Sequence, residues 1–172
     1  MFIMAAYVFL DKKEGVIRAY AVTASSVARY LLSKIFVVLL TATVSGLIVL
    51  IPVMGGKINY ALALLLLLTT GFFSSVLGLL FASFYKDIAK AFGMIFFILV
   101  LMMAPAISYF LPGWNPLWVK FIPSDPILQG FKEIVLGKGS IAYVLFASAG
   151  FLAAGIALFF VTQFRFRKTL SV

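Results

Sequence analysis

The sequence predicts an all-α, polytopic helical membrane protein, and three observations carry that prediction. Residues 35–54, 61–85, 91–111 and 141–164 contain no charged side chain, and about twenty helical residues rise about 30 Å, the thickness of a hydrocarbon core. The composition, 65% apolar and 11% charged with a mean hydropathy of +1.19, leaves a chain of 172 residues too little polar surface to shield itself from water. The 14 Lys and Arg, against 5 Asp and Glu, gather at the ends of the apolar stretches, where they orient spans in a bilayer. The whole chain, 1–172, reads as a single transmembrane domain of four full spans, preceded by a partial one.

Residues 1–10 (MFIMAAYVFL) are apolar, but ten helical residues reach only about 15 Å, half a bilayer. They read as the last half of a span, so the chain is expected to be a fragment or to start at an internal Met. An interfacial helix lying flat is the alternative. A signal peptide is disfavoured, because the basic residues follow the apolar run and no small-residue cleavage site is present.

Residues 11–34 (DKKEGVIRAYAVTASSVARYLLSK) hold five basic side chains directly before the first full span. Glu14 and Arg18 are four apart, and Val16, Ile17, Tyr20, Ala21 and Ala24 recur at helical spacing, which predicts a short amphipathic helix with an ion pair on its wet side. Thr23, Ser25 and Ser26 offer side-chain oxygens to free backbone N–H groups, so a new helix should begin near Val27 and run into the span. The plain alternative is a positively charged loop that only sets topology.

Alternate loops face opposite sides of a membrane. With residues 11–34 inside, that side collects Lys12, Lys13, Arg18, Arg29, Lys34, Lys86, Lys90, Arg165, Arg167 and Lys168, leaving Lys57, Lys120, Lys132 and Lys138 outside. Every Arg is then inside, which predicts a cytoplasmic C-terminus. The outer segment, 112–140, opens on Pro112, Gly113, Trp114, Asn115 and Pro116, residues that stop a helix and turn the chain. Trp114, Trp118 and Tyr109 should mark the headgroup level. Asp125 as cap and Pro126 as first helical residue then predict a short helix with Ile127, Leu128, Phe131, Ile134 and Val135 on one face, ending at Gly137.

Within the spans, Gly71, Ser74, Ser75, Gly78 and Ala82, and likewise Ala147, Gly150, Ala154 and Ala157, place small side chains at three- and four-residue spacings that let helices approach closely, within the chain or between two chains. Phe92, Phe96, Phe97, Met102 and Met103 make the third span bulky and deformable, and Pro105 removes a backbone hydrogen bond there. These five are candidates for lining a substrate path, against the plainer reading of a lipid-facing or buried apolar stripe.

Several function classes are excluded or disfavoured. The spans carry no ionisable side chain and the chain has no His and no Cys, which disfavours proton-coupled transport, intramembrane metal chemistry and thiolate chemistry. No Gly-x-x-x-x-Gly-Lys-Ser/Thr phosphate loop occurs, so the chain is not expected to hold a nucleotide in that way. The net charge of +9 lies in span-flanking clusters without a base-reading module, which excludes nucleic acid as the expected partner.

Glu14 and Gly15, the turn around Thr23 and Ser25, the Tyr30-Leu31-Leu32-Ser33-Lys34 lead-in to the first full span, and residues 78–87 (GLLFASFYKD) together resemble the type-2 ABC exporter permeases, from the end of that family's second span through its sixth. The Pro usual in the turn is absent, with Ala24 near its place. The resemblance implies that Glu14, Gly15, Arg18 and Tyr20 belong to a cytoplasmic coupling helix that contacts a separate ATPase subunit. Residues 86–90 (KDIAK) are a second, smaller candidate contact, or only a topology loop. ATP and Mg would sit on that ATPase, and this chain would bind no cofactor or metal and catalyse nothing itself. It further implies a second permease, identical or not, a span lining the path between the two, small outer helices capping the exit, surrounding membrane lipid, and export across a prokaryotic plasma membrane; a path with uncharged aromatic and Met walls would suit an apolar or amphipathic compound, as in multidrug efflux. A non-transporting membrane scaffold and, less favoured, a passive channel are the competing readings.

Overall fold

The structure, a computed structural model, describes all residues except 18, 19, 21–26, 57, 86, 112, 115, 137–140, 171 and 172, with the backbone alone at 167–170. Six α-helices account for most of it: α1 (Phe2–Lys13), α2 (Val27–Met54), α3 (Tyr60–Phe84), α4 (Ile88–Phe110), α5 (Ser124–Leu136) and α6 (Ile141–Leu170), with a 3₁₀ turn at Leu117–Phe121. No strand occurs among the described residues. Helices α2, α3, α4 and α6 are each long and apolar enough to cross a bilayer, so the chain is a polytopic helical membrane protein.

The helices start and stop where their sequences allow. Asn59 caps α3, its side-chain oxygen accepting from the N–H groups of Ala61 and Leu62 at 3.1 and 3.3 Å, and Asp87 caps α4 by accepting from Lys90 N–H at 3.0 Å. Such caps take up donors that the first turn leaves free. Helix α2 begins at Val27, directly after the expected capping residues, which lie outside the described residues. Helix α5 begins at Ser124, so Asp125 occupies its first turn instead of capping it. The Ser124 hydroxyl leaves the helix altogether and donates to the carbonyl of Met102 on α4 at 2.7 Å. That carbonyl is next to Leu101, whose usual donor is missing because Pro105 has no N–H.

Helix α3 is the hub. It packs most extensively on α6, then on α2 and α1, and also touches α5 and α4. Lipid is as apolar as Leu, so close packing has to hold these helices, and α3 supplies the clearances. A Cβ at Gly78 would overlap the carbonyl of Met1 and crowd Met4 Cβ at 3.1 Å, and one at Gly71 would meet Leu39 of α2 at 2.8 Å. The small stripe of α6 behaves differently. Gly150, Ala154 and Ala157 are exposed, while Val144, Ser148, Phe151 and Gly155 face α3, with the Phe73 and Phe151 rings 5.3 Å apart.

Two buried clusters lie at opposite ends. One joins Met4, Val8 and Phe9 of α1 to Leu31 and Ile35 of α2, Val76 and Leu79 of α3, Ile95 of α4 and Phe166 of α6. The other joins Ile58, Ala63 and Leu66 to Ile134 of α5 and Val144 of α6. Gly130 lets α5 sit against Leu66, where a Cβ would come within 2.9 Å. Helix α4 is peripheral, buried chiefly near its ends at Ala91, Ile95, Ala104 and Pro105.

Candidate functional site

Two basic residues at the end of the bundle formed by α1, the start of α2 and the end of α3, Lys12 and Lys34, are drawn into the protein. The helix begun by residues 1–10 does not stop at Leu10. It continues to Lys13, because its last polar residues find partners on other helices. Asp11, 7% exposed, accepts a hydrogen bond from the Tyr30 hydroxyl at 2.5 Å and an ion pair from Lys34 Nζ at 2.7 Å, both on Oδ2. Tyr30 and Lys34 are four apart on the first turns of α2, so one helix face presents both to the same carboxylate. The Lys34 ammonium also lies 5.9 and 5.8 Å from the ring centres of Tyr7 and Tyr30, within the range of cation–π attraction.

Lys12 ties a different set of elements. Its Nζ donates to the carbonyls of Ala82 and Tyr85 at 2.5 and 2.6 Å, two acceptors at the end of α3, where the last carbonyls have no partner within their own helix. The rings of Phe9 and Phe166 flank it at 5.5 and 5.9 Å, so one side chain joins α1, α3 and α6. Desolvation by burial pulls the Lys12 pKa below its ordinary value, while the two carbonyls and two ring faces favour the charged form. On the rim, the Arg165 guanidinium sits 3.9 Å above the Phe84 ring.

The segment that leaves this knot is held to it. Glu14 and Gly15 form the turn after α1, with the N–H of Glu14 on Leu10 O at 3.0 Å and Gly15 at φ +74°, a left-handed conformation that glycine adopts without steric penalty. Val16, Ile17 and Tyr20 are helical. Ile17 is buried in the same cluster as Tyr30 and Leu31, and the Tyr20 ring packs 5.3 Å from that of Tyr30. The chemistry of the site is positional. Among the described residues, no three His, Cys, Asp or Glu side chains gather in a way that could hold a metal ion. Tyr30 and Asp11 join α1 to α2, and Lys12 joins α1 to α3 and α6.

The family model for ABC-2 family transporter proteins matches residues 1–164. The chain belongs to this family. No curated protein and no solved structure matches it. It is therefore a permease subunit of an ABC transporter, an integral membrane component that works with an ATPase subunit.

Of the permease residues expected to meet the ATPase, Glu14 and Gly15 lie in the turn itself, with Glu14 exposed. Tyr20 packs on Tyr30, and Arg18 lies outside the described residues. The expected path residues Phe92, Phe96, Phe97 and Met103 face outward from α4, with Phe92 and Phe96 stacked 6.3 Å apart, and Met102 is half-buried. Sequence reasoning missed Asp11 and Lys12 as structural ligands. The available signal was an acidic and a basic residue continuing an apolar helix without any helix-stopping residue before Gly15.

Proposed function

We propose that this permease is one membrane half of an ATP-driven exporter, with the knot end and the C-terminus in the cytoplasm of a prokaryotic cell. A second permease, identical or different, completes the pathway for an apolar or amphipathic substrate such as a drug or lipid-like compound. The segment containing Glu14, Gly15, Arg18 and Tyr20 takes the push of a separate ATPase that binds ATP and Mg. The observation that carries the reading is the buried Asp11–Tyr30–Lys34 triad beside the Lys12 clasp. A topology loop needs only charge, whereas here the helix leading into the segment is tied through Asp11 and Lys12 to α2, α3 and α6 and is suited to move with them as a unit between two states of a partner.

Two outward surfaces agree with a shared path. The face of α4 bearing Phe92, Phe96 and Met103 is exposed among the described residues, and the exposed small residues of α6 permit close approach of another helix. The test pairs Glu14→Lys with Tyr20→Ala in the full chain co-expressed with its ATPase. Loss of ATPase co-purification and of ATP-stimulated efflux is expected. Intact ATPase association with altered lipid binding would favour a scaffold instead, and solute leak without nucleotide would favour a channel.

A further inference from the structure

At the end of the bundle opposite the knot, a cleft of about 320 Å³ opens between α4, the 3₁₀ turn and α5, lined in part by Ser108, Tyr109, Lys120, Asp125, Gln129 and Lys132. Its surroundings are strongly apolar. Phe121 is 87% exposed, Phe110 78%, and Trp114 and Trp118 stand edge to face 5.9 Å apart, the arrangement of aromatic residues at a headgroup boundary. Among the described residues neither Lys120 nor Lys132 forms an ion pair, and the Lys132 ammonium rests 5.7 Å from the Tyr109 ring centre. Two lysines against one carboxylate leave the cleft cationic.

A second feature runs into it. Counting back from Tyr109 in steps of four along α4 gives Pro105, Leu101 and Phe97, with Met94 one turn further, so these residues share one face. Leu101, Phe97 and Met94 are all exposed. A cationic cleft at the headgroup level thus continues into an open apolar track running towards the bilayer centre. A free phosphate would use only the first part of this surface. A phospholipid would use both.

We propose that this cleft holds an anionic phospholipid of the adjoining leaflet, its phosphate at Lys120 and Lys132 and its acyl chain along Leu101, Phe97 and Met94. Tyr109 and Gln129 offer further donors to the phosphate oxygens. Asp125 accepts from a headgroup that donates, as the hydroxyls of a glycerol headgroup do, which selects phosphatidylglycerol as the probe. The site needs neither nucleotide nor ATPase, so it stands or falls separately from the transport reading.

The delipidated full chain in neutral detergent is titrated with phosphatidylglycerol or phosphatidylcholine, and bound lipid is counted by native mass spectrometry. Each lysine near an anionic lipid contributes about fivefold in affinity, so Lys120→Gln with Lys132→Gln should cut the preference for phosphatidylglycerol roughly 20-fold. Asp125→Asn should raise it, a direction that general loss of fold cannot imitate. Lys90→Gln, at the opposite end, should leave it unchanged. An unchanged preference in the double variant, an equal loss in Lys90→Gln, or full displacement of the lipid by millimolar glycerol phosphate would each overturn the assignment, the last by pointing to a free-phosphate site.

Discussion

Replacing Asp11 with Ala removes the acceptor on which two elements of α2 converge. Its Oδ2 serves both Tyr30 at 2.5 Å and Lys34 at 2.7 Å, and hydrogen bonds to a charged group contribute about 1.5–3 kcal/mol each. The Lys34 side chain is 29% exposed, so water screens part of its share and the lower part of that range applies. The expected loss is about 3 kcal/mol. Asp11→Asn keeps an acceptor for Tyr30 but no charge for Lys34, and should lose about half as much. Much of the loss in Asp11→Ala comes from the ammonium and hydroxyl left behind, so adding Lys34→Met should restore about 1 kcal/mol instead of adding a further loss. Unfolding by SDS in mixed micelles, followed by tryptophan fluorescence and by limited proteolysis, measures the series. An Asp11→Ala midpoint equal to that of the parent chain, or strict additivity of the two substitutions, would refute the energetic role given to the knot.

Lys12→Met strands two carbonyls at the end of α3 and should destabilise by about 2 kcal/mol, with Lys12→Arg recovering most of it, in the same SDS titration. Gly78→Val forces a side chain against Met1 and Met4 and should weaken the docking of α1 by about 2 kcal/mol, read as faster proteolysis within α1. Gly150→Val, with nothing within 4 Å of its Cβ position, should leave the midpoint unchanged to within about 0.5 kcal/mol. Asp87→Ala removes the cap on Lys90 N–H and should cost about 1 kcal/mol, visible as faster hydrogen exchange in the first turn of α4.

The four long helices were legible because uninterrupted apolar runs report the bilayer directly, whereas the residues expected to cap α2 lie outside the described residues. The stripe on α5 was partly legible. Ile134 is buried and Phe131 packs against the same cluster, but the closest approach comes at Gly130, whose role depends on Leu66 being opposite. Asp11 and Lys12 could not be read from local pattern. Their partners lie 19 to 73 residues away, and a charge beside an apolar run looks the same whether water or another helix receives it. The small residues of α3 and α6 illustrate the same limit, since periodicity names a close-packing face without naming the neighbour. The α3 stripe receives helices of this chain at Gly71 and Gly78, whereas α6 meets α3 at Ser148 and Gly155, beside the exposed Gly150, Ala154 and Ala157.

The Lys12 clasp also imposes an order on biosynthesis. The ribosome delivers α1 well before α3, so during insertion the lysine has neither the Ala82 nor the Tyr85 carbonyl to bind, and Phe166 is the last partner to emerge. Until α3 has been made, Lys12 lacks both carbonyl acceptors of the clasp. The clasp therefore closes only once α3 is in place, and gains the Phe166 ring later still.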